Sequence, residues 1–170
     1  MNNLAAIDEE LFELTATSAV QSVFKTMLGQ TARLLEAKIN PTDVPTEDSQ
    51  IHVIGTAGLV GSISGLIYLD LDLHFANRCA ARLLGMSSAE IDAAGEETVN
   101  DAIGELTNMT LGAFKNQLCD RGFPCKLTIP SVIRGQQFVA TPVMGATRRT
   151  YHFELNGHRV VADILIGQAD

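Results

Sequence analysis

The spacing of apolar residues changes along this chain from helical to strand-like and back, in long separate runs. In LFELTATSAVQSVFKTMLG, residues Phe12, Ala16, Ala19, Val20, Val23, Phe24 and Met27 share one helical face, and Gly29 marks a stop. IHVIGTAGLVGSISGLIYLDLD follows, with β-branched residues, glycine punctuation and the alternation Ile67, Leu69, Leu71; it predicts two antiparallel strands joined near Gly58 to Gly61. Helical spacing returns at Leu73, Ala76, Ala80, Leu83 and Leu84, opened by Asp72 as N-cap and closed by Gly85. A short helix in SSAEIDAAGEE, from a serine cap to an interruption near Gly95, precedes a long one that ends by Arg121-Gly122. Strand character then resumes to the C-terminal region, and Asn156-Gly157 between YHFEL and HRVVADILI signals a type I′ hairpin.

Helices separated from runs of antiparallel strands describe an α+β domain, an antiparallel sheet with helices packed on one face. The order is helix, hairpin, helix, helix, strands. It also divides in two: a helix then a hairpin over 10–72, and a helix then strands over 97–167. INPTDVPTEDSQ reads as an exposed connection. Ser131 to Arg149, with its glycines and Pro142, allows either strands or an ordered loop. At 170 residues the expectation is a single domain, 1–170, able to bury its own core.

Several functions are disfavoured. No apolar run reaches the roughly 18 residues that mark a membrane span, and the start MNNLAAIDEELFEL lacks the basic end and apolar run of a signal peptide, so a cytoplasmic location is expected. The formal charge is −8 and the largest basic cluster is Arg148-Arg149, a poor match to a phosphate backbone. Cys79, Cys119 and Cys125 form no CxxC pair, and His52, His74, His152 and His158 show no metal-ligand spacing. GxSxG, HExxH and GxxxxGK[ST] are absent. Gly55, Gly58, Gly61 and Gly65 lie in strand-like sequence without a helix opening behind them and are read as turns and bulges.

The long helix holds the candidate site. In DAIGELTNMTLGAFKNQL, residues Asp101, Glu105, Asn108 and Gly112 fall within roughly 60° of one another on the helical wheel. Val99, Ile103, Leu106, Thr110, Ala113 and Phe114 occupy the opposite side, so the polar stripe faces outward. On spacing alone an ordinary solvated face is the better reading, because carboxylates on helix surfaces are common. Two features favour a surface built for contact: Gly104 and Gly112 sit on or beside the stripe, although a glycine inside a helix costs about 1 kcal/mol relative to alanine, and Asn108 is a poor helix former in mid-helix, free to donate and accept hydrogen bonds.

The pattern Asp101-x3-Glu105-x2-Asn108-x3-Gly112, on a long helix after a hairpin and a second helix, resembles the signature of the CheC/CheX/FliY phosphatases of bacterial chemotaxis. Pro130 stands 22 residues after Asn108, where that family has a proline, and VFKTMLG at the end of the first helix is also similar. The resemblance runs from about Leu11 to Gly167. CheC and FliY types carry a second ExxN on the first helix. Here that region reads Glu13-Leu14-Thr15-Ala16, so the resemblance is to the CheX type, with one active stripe per chain.

The resemblance implies a phosphatase acting on the aspartyl phosphate of a CheY-type response-regulator receiver. Asn108 would position the attacking water, and Glu105 would dock to the receiver's lysine. Asp101, Gly104 and Gly112 would serve partner binding. It further implies a homodimer with sheets joined across subunits, no cofactor bound by this chain, and magnesium on the receiver. Two alternatives share the fold: a non-catalytic receiver-binding adaptor, which would not require Asn108, and a structural dimerisation module.

Overall fold

The computed structural model describes residues 8–42 and 50–167. In chain order its elements are α1 (Glu9–Leu28), β1 (Arg33–Ile39), β2 (His52–Gly61), β3 (Ser64–Asp72), α2 (Leu73–Leu84), α3 (Ser88–Ala94), α4 (Glu96–Asp120), β4 (Cys125–Leu127), β5 (Ser131–Gly135), β6 (Thr147–Leu155) and β7 (His158–Gly167). Four helices cover one face of a seven-stranded antiparallel sheet, an α+β fold as its sequence predicts.

Local chemistry accounts for the helix ends. The Asp8 carboxylate accepts from the Glu10 and Leu11 amides, and Gly29 closes α1 with a left-handed φ of 67°. Asp72 caps α2 by accepting from the Phe75 amide, and Ser87 with Glu90 forms a capping box on α3. Asn156 and Gly157 both take positive φ, 49° and 83°, as a type I′ turn between β6 and β7 requires.

Three strand expectations change. The β2–β3 turn lies at Ser62 and Ile63, beyond Gly58, which pairs with Leu66 inside the sheet. Gly55 and Gly65 are also strand residues, present because something approaches closely. A Cβ on Gly55 would stand 1.8 Å from the Thr107 hydroxyl, and one on Gly65 would stand 2.0 Å from the Leu165 carbonyl oxygen. The third change is β1, which the periodicity does not announce. Within 131–149, β5 and the start of β6 are strands, and the connection between them lays Phe138 against Tyr68 with ring centroids 5.3 Å apart. Residues 43–49 of the proline-containing connection lie outside the described residues.

The sheet order is β1-β6-β7-β3-β2-β4, with β5 also on β2. Hairpins β2–β3 and β6–β7 therefore meet at the centre, and each is flanked by strands from the other half of the chain. The halves are also matched in their long helices. Phe12, Thr15, Ala16, Ala19, Val20 and Val23 of α1 are buried, and Ile103, Leu106, Thr107, Thr110, Leu111 and Phe114 of α4 are buried in the same spacing. These two rows bring α1 and α4 together over the sheet, with Phe12 and Phe114 rings 6.4 Å apart.

Candidate active site

The α4 helix is held on several sides. Beneath it, Thr107 occupies the space left by the missing side chain of Gly55 on β2. Its buried hydroxyl donates to the Ile103 carbonyl at 2.7 Å, and that of Thr110 donates to Leu106 at 2.8 Å, so neither is left unsatisfied. The buried set is broader than the wheel alone indicates: Ala102, Thr107, Leu111 and Leu118 join it, whereas Ala113 is only half-buried. Along one flank runs β5. Its Arg134 donates through Nε to the Asn100 amide oxygen at 2.6 Å and through Nη2 to the Glu96 carbonyl at 3.3 Å. Arg134 is a positioning residue that sequence reasoning missed; an arginine in a short strand carries no signal of which helix it will reach.

This packing presents the predicted stripe to solvent. Asp101, Glu105 and Asn108 are exposed, and Gly104 and Gly112 are half-buried beside them. All five predicted residues thus share one surface. Asn108 follows Thr107 directly, so the contact at Gly55 sets its height above the sheet. Among the described residues, the side chains of Asp101, Glu105 and Asn108 make no hydrogen bond or ion pair within the chain. A carboxylate and a carboxamide one turn apart are therefore available to an outside partner. A Cβ on Gly104 would meet Val132 at an ordinary 3.6 Å, and one on Gly112 would meet nothing within 4 Å. Nothing inside the fold requires either glycine.

The matching face of α1 differs. By the shared burial spacing, Leu14 and Thr17 hold the places of Glu105 and Asn108. Glu13 is exposed but Ala16 lies in the core, so the Glu13 to Ala16 segment projects no second pair outward.

Other reactive side chains have structural surroundings. His158 stacks on Phe75 with centroids 4.7 Å apart, and His52 Nδ1 lies 2.8 Å from an Asp70 oxygen. Burial pushes the Cys79 thiol up to about 12 and the Cys125 thiol up to about 11, which keeps both protonated near neutrality. Among the described residues, no three His, Cys, Asp or Glu side chains converge as a metal site. No helix among them is long and apolar enough to cross a membrane.

The exchanged-strand sheet and the paired long helices are the fold of CheC- and CheX-like chemotaxis proteins. The chain belongs to the CheX family: residues 53–154, more than half of its length, match the family described as chemotaxis phosphatase CheX. Solved structures agree on the fold. The chemotaxis protein CheX from Vibrio vulnificus superposes with a TM-score of 0.77 at 22% identity, over 91% of this chain and 98% of that one. A CheX from Borrelia burgdorferi, solved as a CheX–CheY–BeF3–Mg complex, gives 0.68 at 24% identity over 92% and 98%. FliY from Thermotoga maritima gives 0.66 at 17% over 96% and 92%. No curated protein sequence matches the chain.

Proposed function

We propose that this protein hydrolyses the aspartyl phosphate of a CheY-type receiver domain, with α4 as the face that enters the receiver's site. The observation that carries this reading is the pairing of Glu105 and Asn108. Both are exposed and unengaged within the chain, on a helix whose position is fixed by buried contacts, in a chain of the chemotaxis phosphatase family.

An acyl phosphate already hydrolyses slowly, and phosphoryl transfer gains mainly from positioning and charge stabilisation. The Asn108 carboxamide can accept a hydrogen bond from a water and donate one to a phosphoryl oxygen, which holds the water in line with the bond to be broken. The water oxygen forms the new bond to phosphorus, the bond to the aspartyl oxygen breaks, and the electron pair returns to the receiver's carboxylate. The water's proton leaves on inorganic phosphate. Glu105, one turn back, supplies an anion for the receiver's lysine and docks the helix. Asp101 extends this docking edge, and Gly104 and Gly112 leave the surface low enough for receiver loops to approach. Magnesium belongs on the receiver, where it would neutralise phosphoryl charge; this chain contributes no cofactor.

The assembly that fits is a homodimer with one stripe per chain. In support, β1 is paired only with β6 among the described residues, which leaves an edge carrying half-exposed Leu35 and Ile39.

Glu105 and Asn108 have separable effects. Asn108→Ala removes the water's partner and lowers turnover at saturating receiver about a hundredfold, equivalent to about 2.7 kcal/mol. Glu105→Ala removes a docking contact and raises KM for the phosphorylated receiver. Steady-state phosphate release checks both, and a Glu105→Ala enzyme with unchanged KM would remove Glu105 from docking.

A further inference from the structure

We infer that Ile129, outside the Glu105–Asn108 signature, is the apolar anchor by which the receiver docks beside the reacting phosphate, and that it sets affinity for that partner. This inference rests on the phosphatase reading of the α4 stripe and adds a residue from a different element.

The stripe consists of two carboxylates, a carboxamide and glycine, so it offers almost no apolar surface. Transient protein contacts are nonetheless centred on a desolvated apolar patch within a polar rim. The connection from β4 to β5 supplies one. Ile129 is 89% exposed, against 42% for Ile133 in the β5 strand that follows. Its backbone is fixed on both sides: the Thr128 amide donates to the Gly58 carbonyl at 2.9 Å, and the Thr128 hydroxyl accepts from the Gly58 amide at 2.8 Å. Pro130 follows, with a restricted φ, and Ser131 is already in register with Thr56. An exposed isoleucine held this firmly loses little backbone freedom on binding.

Strand register places this residue beside the stripe. Gly55, which faces Thr107 of α4, pairs with Val132; Thr56 pairs with Ser131; Gly58 is bonded to Thr128. Ile129 therefore lies near the level of Ala57, about 7 Å along β2 from the Thr107 contact. The α4 helix runs the same way, because Gly61 at the end of β2 meets Pro124 and Cys125 just beyond the end of α4. At about 1.5 Å per helical residue, the level of Ile129 is that of Leu111 and Gly112, one turn beyond Asn108. Leu127 and Val132 on either side both pack against the core, and Val132 is the residue nearest the open space at Gly104. The exposed isoleucine thus stands at the level of the Gly112 end of the stripe, on the β4–β5 connection that flanks α4.

The test compares the parent, Ile129→Glu, Ile129→Val and a control, Met144→Glu, which alters a fully exposed side chain on the β5–β6 connection. Two quantities are read: steady-state phosphate release from a phosphorylated CheY-type receiver, and the Kd for that receiver activated with beryllofluoride and magnesium. The expected result is that Ile129→Glu raises KM and Kd about tenfold or more with turnover at saturation unchanged, while the valine and control variants stay within about twofold of the parent. An active parent with an equally tight Ile129→Glu variant overturns the anchor alone. A parent that binds without hydrolysis overturns the phosphatase reading, and the Kd comparison still decides the anchor. A parent that neither binds nor hydrolyses overturns both.

Discussion

Gly55 and Gly112 are both glycines under or on α4, and they call for opposite explanations. Gly55 is required by the fold, since a Cβ there would stand 1.8 Å from the Thr107 hydroxyl. Gly55→Ala is therefore expected to overpack this contact and cost about 2 kcal/mol in urea unfolding, within the usual range for inserted core methyl groups; an unchanged midpoint would show that α4 moves away freely. Gly112 has no neighbour within 4 Å of its missing Cβ and sits inside a regular helix. Gly112→Ala should stabilise the isolated protein by about 0.5–1 kcal/mol and yet weaken receiver binding. A stabilised variant that binds as well as the parent would mean that close approach is not the reason for this glycine. His152 gives a pH-dependent case. Burial, with Lys38 adding, holds its pKa below the ordinary 6.5. The unfolded chain then takes up the proton first, so stability is full above about 6.5 and declines as pH falls through the lowered folded value. His152→Gln should flatten the stability profile below pH 6.5; an identical slope would assign the pH dependence elsewhere.

At the scale of elements, what the sequence discloses follows local chemistry. Capping at Asp72 and Ser87, the stop at Gly29 and the Asn156-Gly157 turn are short-range devices, and the structure has each of them. The outward stripe of α4 is equally legible, because its buried partners recur at helical spacing. Strand β1 is not legible. It is an edge strand with little burial, and its register with β6 shifts between Leu34 and Glu36, so no alternation survives in RLLEAKI. Glycines in β2 and β3 mislead for a related reason: a turn and a close tertiary approach select the same residue, and the helix that approaches Gly55 lies some fifty positions downstream. The side of the site formed by β5 depends on the same long-range information. Arg134 and Val132 acquire meaning only once β5 is placed on β2 beside α4.

For the whole molecule, exchange of strands between the two halves builds the support on which α4 rests. Hairpin β2–β3 comes from the first half, but its outer edge is completed by β4 and β5 from the second. The α4 helix therefore rests on a strand of one half and is flanked by a strand of its own. Two matching helix faces result, and they differ in chemistry: α4 carries Glu105 and Asn108 where α1 has Leu14 and Thr17 in the corresponding places. A single exposed glutamate–asparagine stripe per chain follows from that difference and from no feature of the fold itself. Sheet order and exchange leave no periodic trace in a sequence, which explains why the halves are visible there only as a repeated order of elements.

The central claim is that Asn108 positions water for attack on a receiver's aspartyl phosphate. Its most direct test is release of inorganic phosphate from a phosphorylated CheY-type receiver with magnesium, measured at saturating concentrations of this protein and of Asn108→Ala. Marked acceleration by the parent, a loss of about a hundredfold in the variant and an unchanged circular dichroism spectrum are the predicted results. Equal acceleration by both proteins would contradict the assignment.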